Sequence, residues 1–282
     1  MTELYTQHNS PWHLSRIVDE EDQFIYRKTG KGVSVYILDT GMNLNHEEFN
    51  GNREVKTVYS YDGQDYDLDG YGPDHGTAVA SCVGGKVCGP AKEANLYNLR
   101  FDMRHSSARE AAEEVLSHKG SYPAILVKSF GGPFPLFNEE LEELENNGVI
   151  LVAAAGNESQ NISRNKMFPA SKKRTISVGA TNRKDHLSKF SNYGNMVDIL
   201  APGSNIQVAT ANGYYSYFNG TSFAAPIVAG VIAQIVQDEV VSDEQDVNEV
   251  KEILYNNAFK DEIRLSRKER KTSNLLVNSL AA

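Results

Sequence analysis

The chain has 282 residues, which fits one large domain or two small ones because single hydrophobic cores stop growing at roughly 250 to 300 residues. Hydrophobic residues make up 40% and charged residues 23%, as in soluble globular proteins, and no apolar run approaches the roughly 18 residues that span a bilayer. The formal net charge of −9 provides no broad positive field for phosphate groups. Composition therefore excludes a membrane protein and argues against nucleic acid as a partner.

Apolar runs of strand length alternate with helical patterns along the chain. Strands rich in Val, Ile and Leu that alternate with helices are typical of a parallel sheet covered on both faces. No internal repeat, Pro-rich linker or low-complexity tract divides the sequence. We therefore expect one α/β domain over residues 1–282, with a mostly parallel sheet whose predicted strands are Val33–Leu38, Ala94–Leu99, Ala124–Val127, Val149–Ala155, Thr175–Ala180 and Val197–Leu200.

Two of the predicted helices carry start signals. Ser107 is followed three residues later by Glu110, which is the spacing of a capping box. Asn138 precedes a helical pattern that stops at Asn147-Gly148. We expect Ser107 and Asn138 to be N-cap residues.

Cys82 and Cys88 are the only cysteines, too few for a disulfide scaffold and without the spacing of a zinc site. They form one bridge or none. The N-terminal residues are polar and lack the apolar core of a signal peptide, so the chain is either a cytoplasmic product or a processed or recombinant form.

Asp39 closes the strand pattern V-Y-I-L-D-T-G. Asp-Thr-Gly after a strand presents one of the two carboxylates of an aspartic protease, or the acid that orients a histidine in some serine proteases. An aspartic protease needs a second such motif on a second β-rich lobe, and the sequence contains none. We therefore interpret Asp39 as the partner of a histidine.

His75 lies in D-H-G-T-A-V-A, where a Gly-rich loop ends and a helix begins. Of the seven histidines it alone opens such a helix, which makes it the candidate base. The other histidines are assigned to surface or core positions.

Ser222 lies in N-G-T-S-F-A-A-P-I-V-A-G, at the start of an apolar helix in which Pro226 is expected in the first turn. A helix N-terminus stabilises an oxyanion that forms beside the serine hydroxyl, although Ser at this position is also a common helix cap. Asn157 follows a buried strand and Gly156, and it is either a turn former or a second donor to that oxyanion.

The order Asp39, His75, Ser222 is the acid, base, nucleophile order of subtilisin. The segments V-Y-I-L-D-T-G, D-H-G-T-A-V-A, A-A-A-G-N and F-N-G-T-S-F-A-A-P-I-V-A-G resemble those of the subtilisin-like serine proteases, and S-P-W-H-L-S-R-I and S-N-L-L-V-N resemble the proteinase K branch. The resemblance spans nearly the whole chain. It implies a doubly wound sheet and a serine endopeptidase that acts on polypeptides, as a monomer that needs no cofactor for its chemistry.

The resemblance also implies roles for individual residues. Ser222 attacks the scissile carbonyl, His75 transfers the proton, Asp39 fixes the imidazole, and Asn157 with the Ser222 N–H holds the oxyanion. Met167 is placed near the floor of the pocket for the residue before the cleaved bond, where it favours medium-sized apolar side chains. The strand that pairs with substrate and the pocket wall correspond to Ser129, Phe130, Gly131, Ala154, Ala155 and Gly156.

Several residues depart from the family pattern. Ala78, Ser81 and Ile227 replace the usual residues of the motifs after His75 and Ser222, outside the triad. The segment Arg104–Arg109 replaces a Gly-rich edge segment that flanks the substrate, and Lys128 is unexpected in a buried strand. These departures leave open an alternative, a protease-like binding protein with little turnover.

The acidic loop around Asp65 is either a solvated surface loop or a structural calcium site, as in some subtilisin relatives. Asp65, Asp67 and Asp69 have the spacing of a calcium loop, but the twelfth position is Gly76 and not Glu, which excludes an EF-hand. Asp198 belongs to a second candidate site by resemblance alone. The resemblance further implies an extracellular or secretory-pathway location for a processed form, against a cytoplasmic one if Met1 is the true start.

Overall fold

A parallel sheet organises the chain. The computed structural model describes residues 3–66, 74–102, 104–134 and 138–280. The helices are α1 (Trp12–Arg16), α2 (His75–Gly84), α3 (His105–His118), α4 (Asn138–Asn146), α5 (Thr221–Ile235) and α6 (Glu244–Asn257), with a short 3-10 helix at Glu47–Phe49. The strands are β1 (Tyr5–His8), β2 (Gln23–Tyr26), β3 (Ser34–Asp39), β4 (Val55–Ser60), β5 (Asn95–Arg100), β6 (Ala124–Lys128), β7 (Val149–Ala154), β8 (Ile176–Thr181), β9 (Ile199–Pro202), β10 (Ile206–Ala209), β11 (Tyr215–Phe218), β12 (Phe259–Lys260) and β13 (Leu275–Leu276).

Nine of the described strands form the main sheet, in the order β12-β13-β9-β8-β7-β6-β3-β5-β4. Every pairing from β13 to β4 is parallel, and only β12 is antiparallel to its neighbour. The remaining strands form two antiparallel pairs, β1 with β2 and β10 with β11. The predicted α/β class and mostly parallel sheet are confirmed. The six predicted strands correspond to β3 and β5 to β9, with bounds within two residues of the predicted ones, whereas β4, β12 and β13 were not predicted.

The sheet is covered on both faces because alternate side chains of each strand enter different cores. Val35 and Ile37 of β3 belong to the larger hydrophobic cluster, which includes residues of α2 and α5. Tyr36 and Leu38 of the same strand belong to the cluster under α3 and α4. Parallel strands buried on both faces appear in the sequence as continuous apolar runs, which is why they were predictable.

The helix α5 lies at the centre of the larger cluster, and all of its residues are buried. It packs directly on α2. A Cβ at Gly230 of α5 would overlap the carbonyl oxygen of Val83 in α2. The absence of a side chain at Gly230 therefore allows the two helices to approach closely.

Both predicted helix caps are wrong. The helix α3 begins two residues before Ser107, whose Oγ instead donates to Asp102 Oδ1 at 2.5 Å and to the Arg104 carbonyl at 3.1 Å. Asn138 is the first residue of α4, and its Oδ1 is buried without a hydrogen-bond partner among the described residues. The Ser107 hydroxyl bonds to Asp102 and therefore does not cap the helix. Asp102 lies outside the capping-box pattern, so the sequence did not indicate this bond.

Pro226 is the sixth residue of α5 and lies beyond the first turn in which it was expected. Its ring removes the N–H that would bond to the carbonyl four residues earlier, which belongs to Ser222. That carbonyl accepts a hydrogen bond from the Ser129 hydroxyl at 2.8 Å. A donor from outside the helix thus compensates for the proline.

Cys82 and Cys88 are both free thiols in the interior. Burial raises the pKa of both thiols well above its ordinary value. Of the two possibilities that the sequence left open, one disulfide or none, the structure shows no bond between Cys82 and Cys88. Among the described residues, no helix has the length and apolar character needed to cross a bilayer.

The packing predicts a large difference between two isoleucine truncations. Ile37 is 0% exposed in the main cluster, whereas Ile253 on α6 is 45% exposed. We expect Ile37→Ala to lower the free energy of unfolding by about 2–5 kcal/mol because it leaves a cavity. Ile253→Ala should change it by only about 0.5 kcal/mol. Urea denaturation measures both values, and equal losses would contradict the assignment of Ile37 to the core.

Candidate active site

Asp39 and His75 meet where β3 ends and α2 begins. Asp39 is the last residue of β3 and is buried. Its Oδ1 accepts hydrogen bonds from the Thr40 N–H at 2.8 Å and from His75 Nδ1 at 2.7 Å. The carboxylate thus fixes the imidazole in one orientation and in the tautomer that carries a proton on Nδ1.

A close backbone contact brings these two residues together. Gly76, next to His75, donates its N–H to Thr40 Oγ1 at 3.2 Å. A Cβ at Gly76 would overlap the carbonyl oxygen of Gly41, which itself has a φ of 117°. Only glycine at both positions permits this turn and this approach.

The charge of Asp39 changes the acidity of His75. Burial by itself lowers the pKa of the imidazole because it disfavours the charged form. The coulombic attraction and the hydrogen bond of Asp39 act in the opposite direction and prevail. The pKa of His75 is therefore raised above its ordinary value of 6.5. An imidazole of this kind is basic enough to accept a proton from a hydroxyl.

Ser222 is the second residue of α5 and is 8% exposed. Its N–H is among the first N–H groups of the helix, which have no acceptor within the helix. Its Oγ donates to the Ser129 carbonyl at 2.8 Å and not to His75. The neighbouring Phe223 ring lies 5.7 Å from the His75 ring, centroid to centroid, so the start of α5 lies beside the imidazole.

Asn157 lies beyond the end of β7, and Thr221 orients its side chain. The Asn157 Oδ1 accepts from the Thr221 N–H at 2.9 Å and from Thr221 Oγ1 at 3.0 Å. The Gly156 N–H in turn donates to Thr221 Oγ1 at 3.1 Å. With Oδ1 held in this way, the amide Nδ2 is left as a donor on the opposite side. Thr221 was not predicted as a site residue, although its position directly before Ser222 was an available signal.

The residues predicted to bind substrate lie at the ends of β6 and β7. The parallel register pairs Lys128 with Ala153, so the next residues of the two strands, Ser129 and Ala154, lie side by side. Gly132 and Phe168 form an antiparallel bridge, with hydrogen bonds of 3.1 and 2.8 Å. Ala155 and Gly156 follow β7 directly, and the Ala155 N–H donates to the Val178 carbonyl at 3.0 Å.

Met167 and Phe130 border the same segment. A Cβ built on Gly131 would lie 3.2 Å from Met167 Cγ, which places the thioether against the glycine. The Phe130 ring stacks on Phe101 with centroids 4.6 Å apart. Met167 thus lies beside the predicted substrate strand, as its assignment to the pocket requires.

Lys128 is 5% exposed, in the last position of β6. Its Nζ lies 4.6 Å from the centroid of the Phe130 ring, a cation–π contact. Burial, with a smaller repulsion from Lys172, lowers the pKa of Lys128 to about 7. The aromatic ring is a contact for Lys128 that could not be predicted from the sequence.

The other departures from the family pattern have structural explanations. Ala78 and Ile227 are completely buried in the core. The Ser81 hydroxyl donates to the Ala78 carbonyl at 2.8 Å and accepts from the Ala209 N–H at 3.0 Å. In the segment Arg104–Arg109, Arg104 is extended and the residues from His105 onward form the first turns of α3.

The structure contains no clear calcium site among the residues it describes. Asp67 and Asp69 lie outside those residues, and Asp65 Oδ1 accepts from Thr57 Oγ1. Asp198 Oδ2 accepts from the Ser177 N–H at 2.8 Å, and burial raises the pKa of Asp198 to about 6. Across the described ranges, no three His, Cys, Asp or Glu side chains are grouped closely enough to hold a metal ion. We therefore assign no residue to a metal.

Comparisons with known proteins identify a family for this chain. The model of the subtilase family matches residues 30–279. Alkaline protease 1 of Aspergillus flavus is 36% identical over 267 residues, which cover 89% of this chain and 64% of the relative. Proteinase T of Parengyodontium album is 34% identical over 240 residues, 80% of each protein. The chain thus spans less than two thirds of the Aspergillus protease.

A solved structure is similar over nearly the whole chain. It is that of a cold-adapted subtilisin-like serine proteinase, with a TM-score of 0.86 and 31% sequence identity. The match covers 97% of this chain and 100% of that chain. The predicted subtilisin-like fold is therefore confirmed by similarity of the whole chain, without reference to individual site residues.

The hydrogen bond to Asp39 predicts the titration of His75. In a Ser222→Ala variant, NMR should show His75 titrating above pH 6.5, because the charged imidazole gains the carboxylate. Asp39→Asn should lower that pKa, since burial then acts without the opposing charge. A proton acceptor must be neutral, so the ascending limb of any activity profile should also lie above pH 6.5. Titration of His75 below pH 6.5 in the presence of Asp39 would refute this assignment.

Proposed function

Because the chain belongs to the subtilase family of serine-type endopeptidases, we propose that it hydrolyses peptide bonds through a triad of Asp39, His75 and Ser222. The observation that carries this proposal is the 2.7 Å hydrogen bond between His75 Nδ1 and Asp39 Oδ1. It leaves Nε2 of the imidazole as the free acceptor, beside the N-terminus of α5.

In the first step, Ser222 Oγ attacks the carbonyl carbon of the substrate and transfers its proton to His75 Nε2. The hydroxyl must first leave the Ser129 carbonyl, to which it donates at 2.8 Å. The proposed step therefore requires rotation about the Cα–Cβ bond of Ser222, and catalytic hydrogen bonds commonly tighten only when substrate is bound. Asp39 stabilises the imidazolium that forms. His75 then returns the proton to the leaving amine, which yields an acyl-enzyme.

Two donors stabilise the negative oxygen of the tetrahedral intermediate. One is the Ser222 N–H at the start of α5, where the helix dipole is positive. The other is Asn157 Nδ2, which Thr221 orients through the bonds to Oδ1. A water molecule then hydrolyses the acyl-enzyme by the same steps, with His75 as the base.

Polypeptides are the proposed substrates. An extended peptide can pair with the main chain of the segment from Ser129 to Gly131, and Ala154, Ala155 and Gly156 form the opposite wall of the pocket. Pairing of this kind recognises main chain and gives broad specificity. The helical start of α3 in place of an extended edge implies that one side of the substrate carries most of this pairing.

We further propose that the protein acts as a monomer, without a cofactor for its chemistry, and as a processed form outside the cell or in the secretory pathway. The family resemblance supports these proposals. The alternative is a protease-like binding protein with little turnover, which the altered Arg104–Arg109 segment and Lys128 favour.

Labelling with a fluorophosphonate tests the proposed triad and separates the two functions. We expect the protein to label at Ser222 and to cleave denatured protein. Ser222→Ala should abolish labelling and lower turnover by at least about 1,000-fold. A folded chain that never labels would support the binding function instead.

Asn157→Ala tests the oxyanion hole in the same assay. We expect it to reduce kcat by about 100- to 1,000-fold, a value adopted from the corresponding change in subtilisin, with little change in KM. The matched control is Asn165→Ala, since Asn165 is exposed and its side chain bonds only to Gln160 among the described residues. Its kcat should stay at the wild-type value. An equal loss in both variants would remove Asn157 from the site.

Met167 provides a test of substrate preference. With Met167 against Gly131, we expect faster cleavage after Leu than after Phe in otherwise identical peptides. Met167→Ala enlarges the pocket and should raise kcat/KM for the Phe peptide relative to the Leu peptide by about 10-fold. Equal cleavage of the two peptides by the wild-type protein would contradict the assignment of Met167 to the pocket.

A further inference from the structure

Ser129 and Ser222 are joined by two reciprocal hydrogen bonds. The Ser129 hydroxyl donates to the Ser222 carbonyl at 2.8 Å. The Ser222 hydroxyl donates to the Ser129 carbonyl, also at 2.8 Å. Both residues are buried, at 3% and 8% exposure. The main chain of each residue is thus held by the side chain of the other.

The first of these bonds replaces one that the helix cannot make. In an α-helix, the Ser222 carbonyl would accept from the N–H of residue 226. That residue is Pro226, which has no N–H. A buried carbonyl that loses its donor costs about 1–3 kcal/mol unless another group supplies one. Ser129 Oγ is the group that does so here.

The position of Ser129 makes it a rigid donor. It follows β6 directly, and β6 lies between β7 and β3 in the sheet. Three residues later, Gly132 is bonded in both directions to Phe168. Ser129 is therefore restrained on both sides along the chain, and its hydroxyl links the start of α5 to the centre of the sheet.

We propose that Ser129 is a positioning residue for the nucleophile. By holding the Ser222 carbonyl, its hydroxyl fixes the main chain from which Oγ must reach His75 and the scissile carbonyl during the reaction. An error of about 1 Å in such a position costs about 100-fold in rate. This inference rests on the proposed role of Ser222 as the nucleophile. It assigns the Ser129 side chain a task distinct from pairing of its main chain with substrate.

A double-mutant cycle between Ser129 and Pro226 tests the proposal. Ser129→Ala should reduce the rate of fluorophosphonate labelling and kcat by about 10-fold, with KM within about twofold, because the main chain that pairs with substrate is unchanged. Pro226→Ala supplies an N–H to the Ser222 carbonyl and makes the hydroxyl redundant. In that background, Ser129→Ala should change the labelling rate by no more than about twofold.

Ser10→Ala is the matched control. Ser10 is 6% exposed, and its hydroxyl is bonded to Ser15 Oγ at 2.7 Å in the N-terminal segment. It removes an equally buried hydroxyl and should leave the labelling rate unchanged. Should Ser129→Ala fail to fold, Ser129→Cys replaces it, since a thiol of similar size is a weak donor and should give an intermediate rate.

The outcomes separate this inference from the proposed function. A folded wild-type protein that does not label removes the nucleophile and both proposals with it. If the wild-type protein labels at Ser222 and Ser129→Ala labels at the same rate, only the positioning role is overturned. The role is likewise overturned if Ser129→Ala loses the same factor with and without Pro226. The positioning role is supported if Ser129→Ala lowers kcat in the protein that retains Pro226 and not in the Pro226→Ala variant.

Discussion

The arrangement of the site depends on how closely α2 approaches the end of β3. The contact involves two glycines, because a Cβ at Gly76 would overlap the carbonyl of Gly41. At this distance the first turn of α2 touches the Asp-Thr-Gly turn, and the His75 imidazole reaches the carboxylate of Asp39 at 2.7 Å. A side chain at Gly76 would separate the helix from the turn, whereas one at Gly41 would overlap the Asp65 carbonyl oxygen. The raised pKa of His75 follows from this contact, since attraction to a carboxylate falls with distance.

A second contact places the nucleophile. The helix α5 is buried along its whole length, and Gly230 allows it to pack closely on α2. The helix that carries His75 and the helix that carries Ser222 therefore lie on the same face of the sheet, in direct contact. Two hydrogen bonds also fix the start of α5 to the sheet. Ser129, which follows β6, donates to the Ser222 carbonyl, and Asn157, beyond the end of β7, accepts from the Thr221 N–H. Several independent anchors thus meet within one turn of helix.

Some of the structure was predictable because its physical cause is local. Parallel strands buried on both faces need apolar side chains at every position, so β3, β6 and β7 were visible as continuous runs. The starts of α2 and α5 were visible because Gly-rich turns precede them. The capping box at Ser107 failed because the hydroxyl binds Asp102, a residue outside the pattern. The expectation for Pro226 failed because it counted only main-chain donors.

The sequence by itself determined the fold class, the order of the chemical groups along the chain and the candidate acid, base, nucleophile and oxyanion donor, since these follow from residue type and from patterns a few residues long. The tertiary structure decided which groups bond to one another. Ser222 donates to Ser129 across 93 residues, and Thr221 binds Asn157 across 64 residues. Such pairs depend on strand order and on the distance between helix and sheet. Those distances arise from the packing of the whole core, which no local stretch of sequence contains.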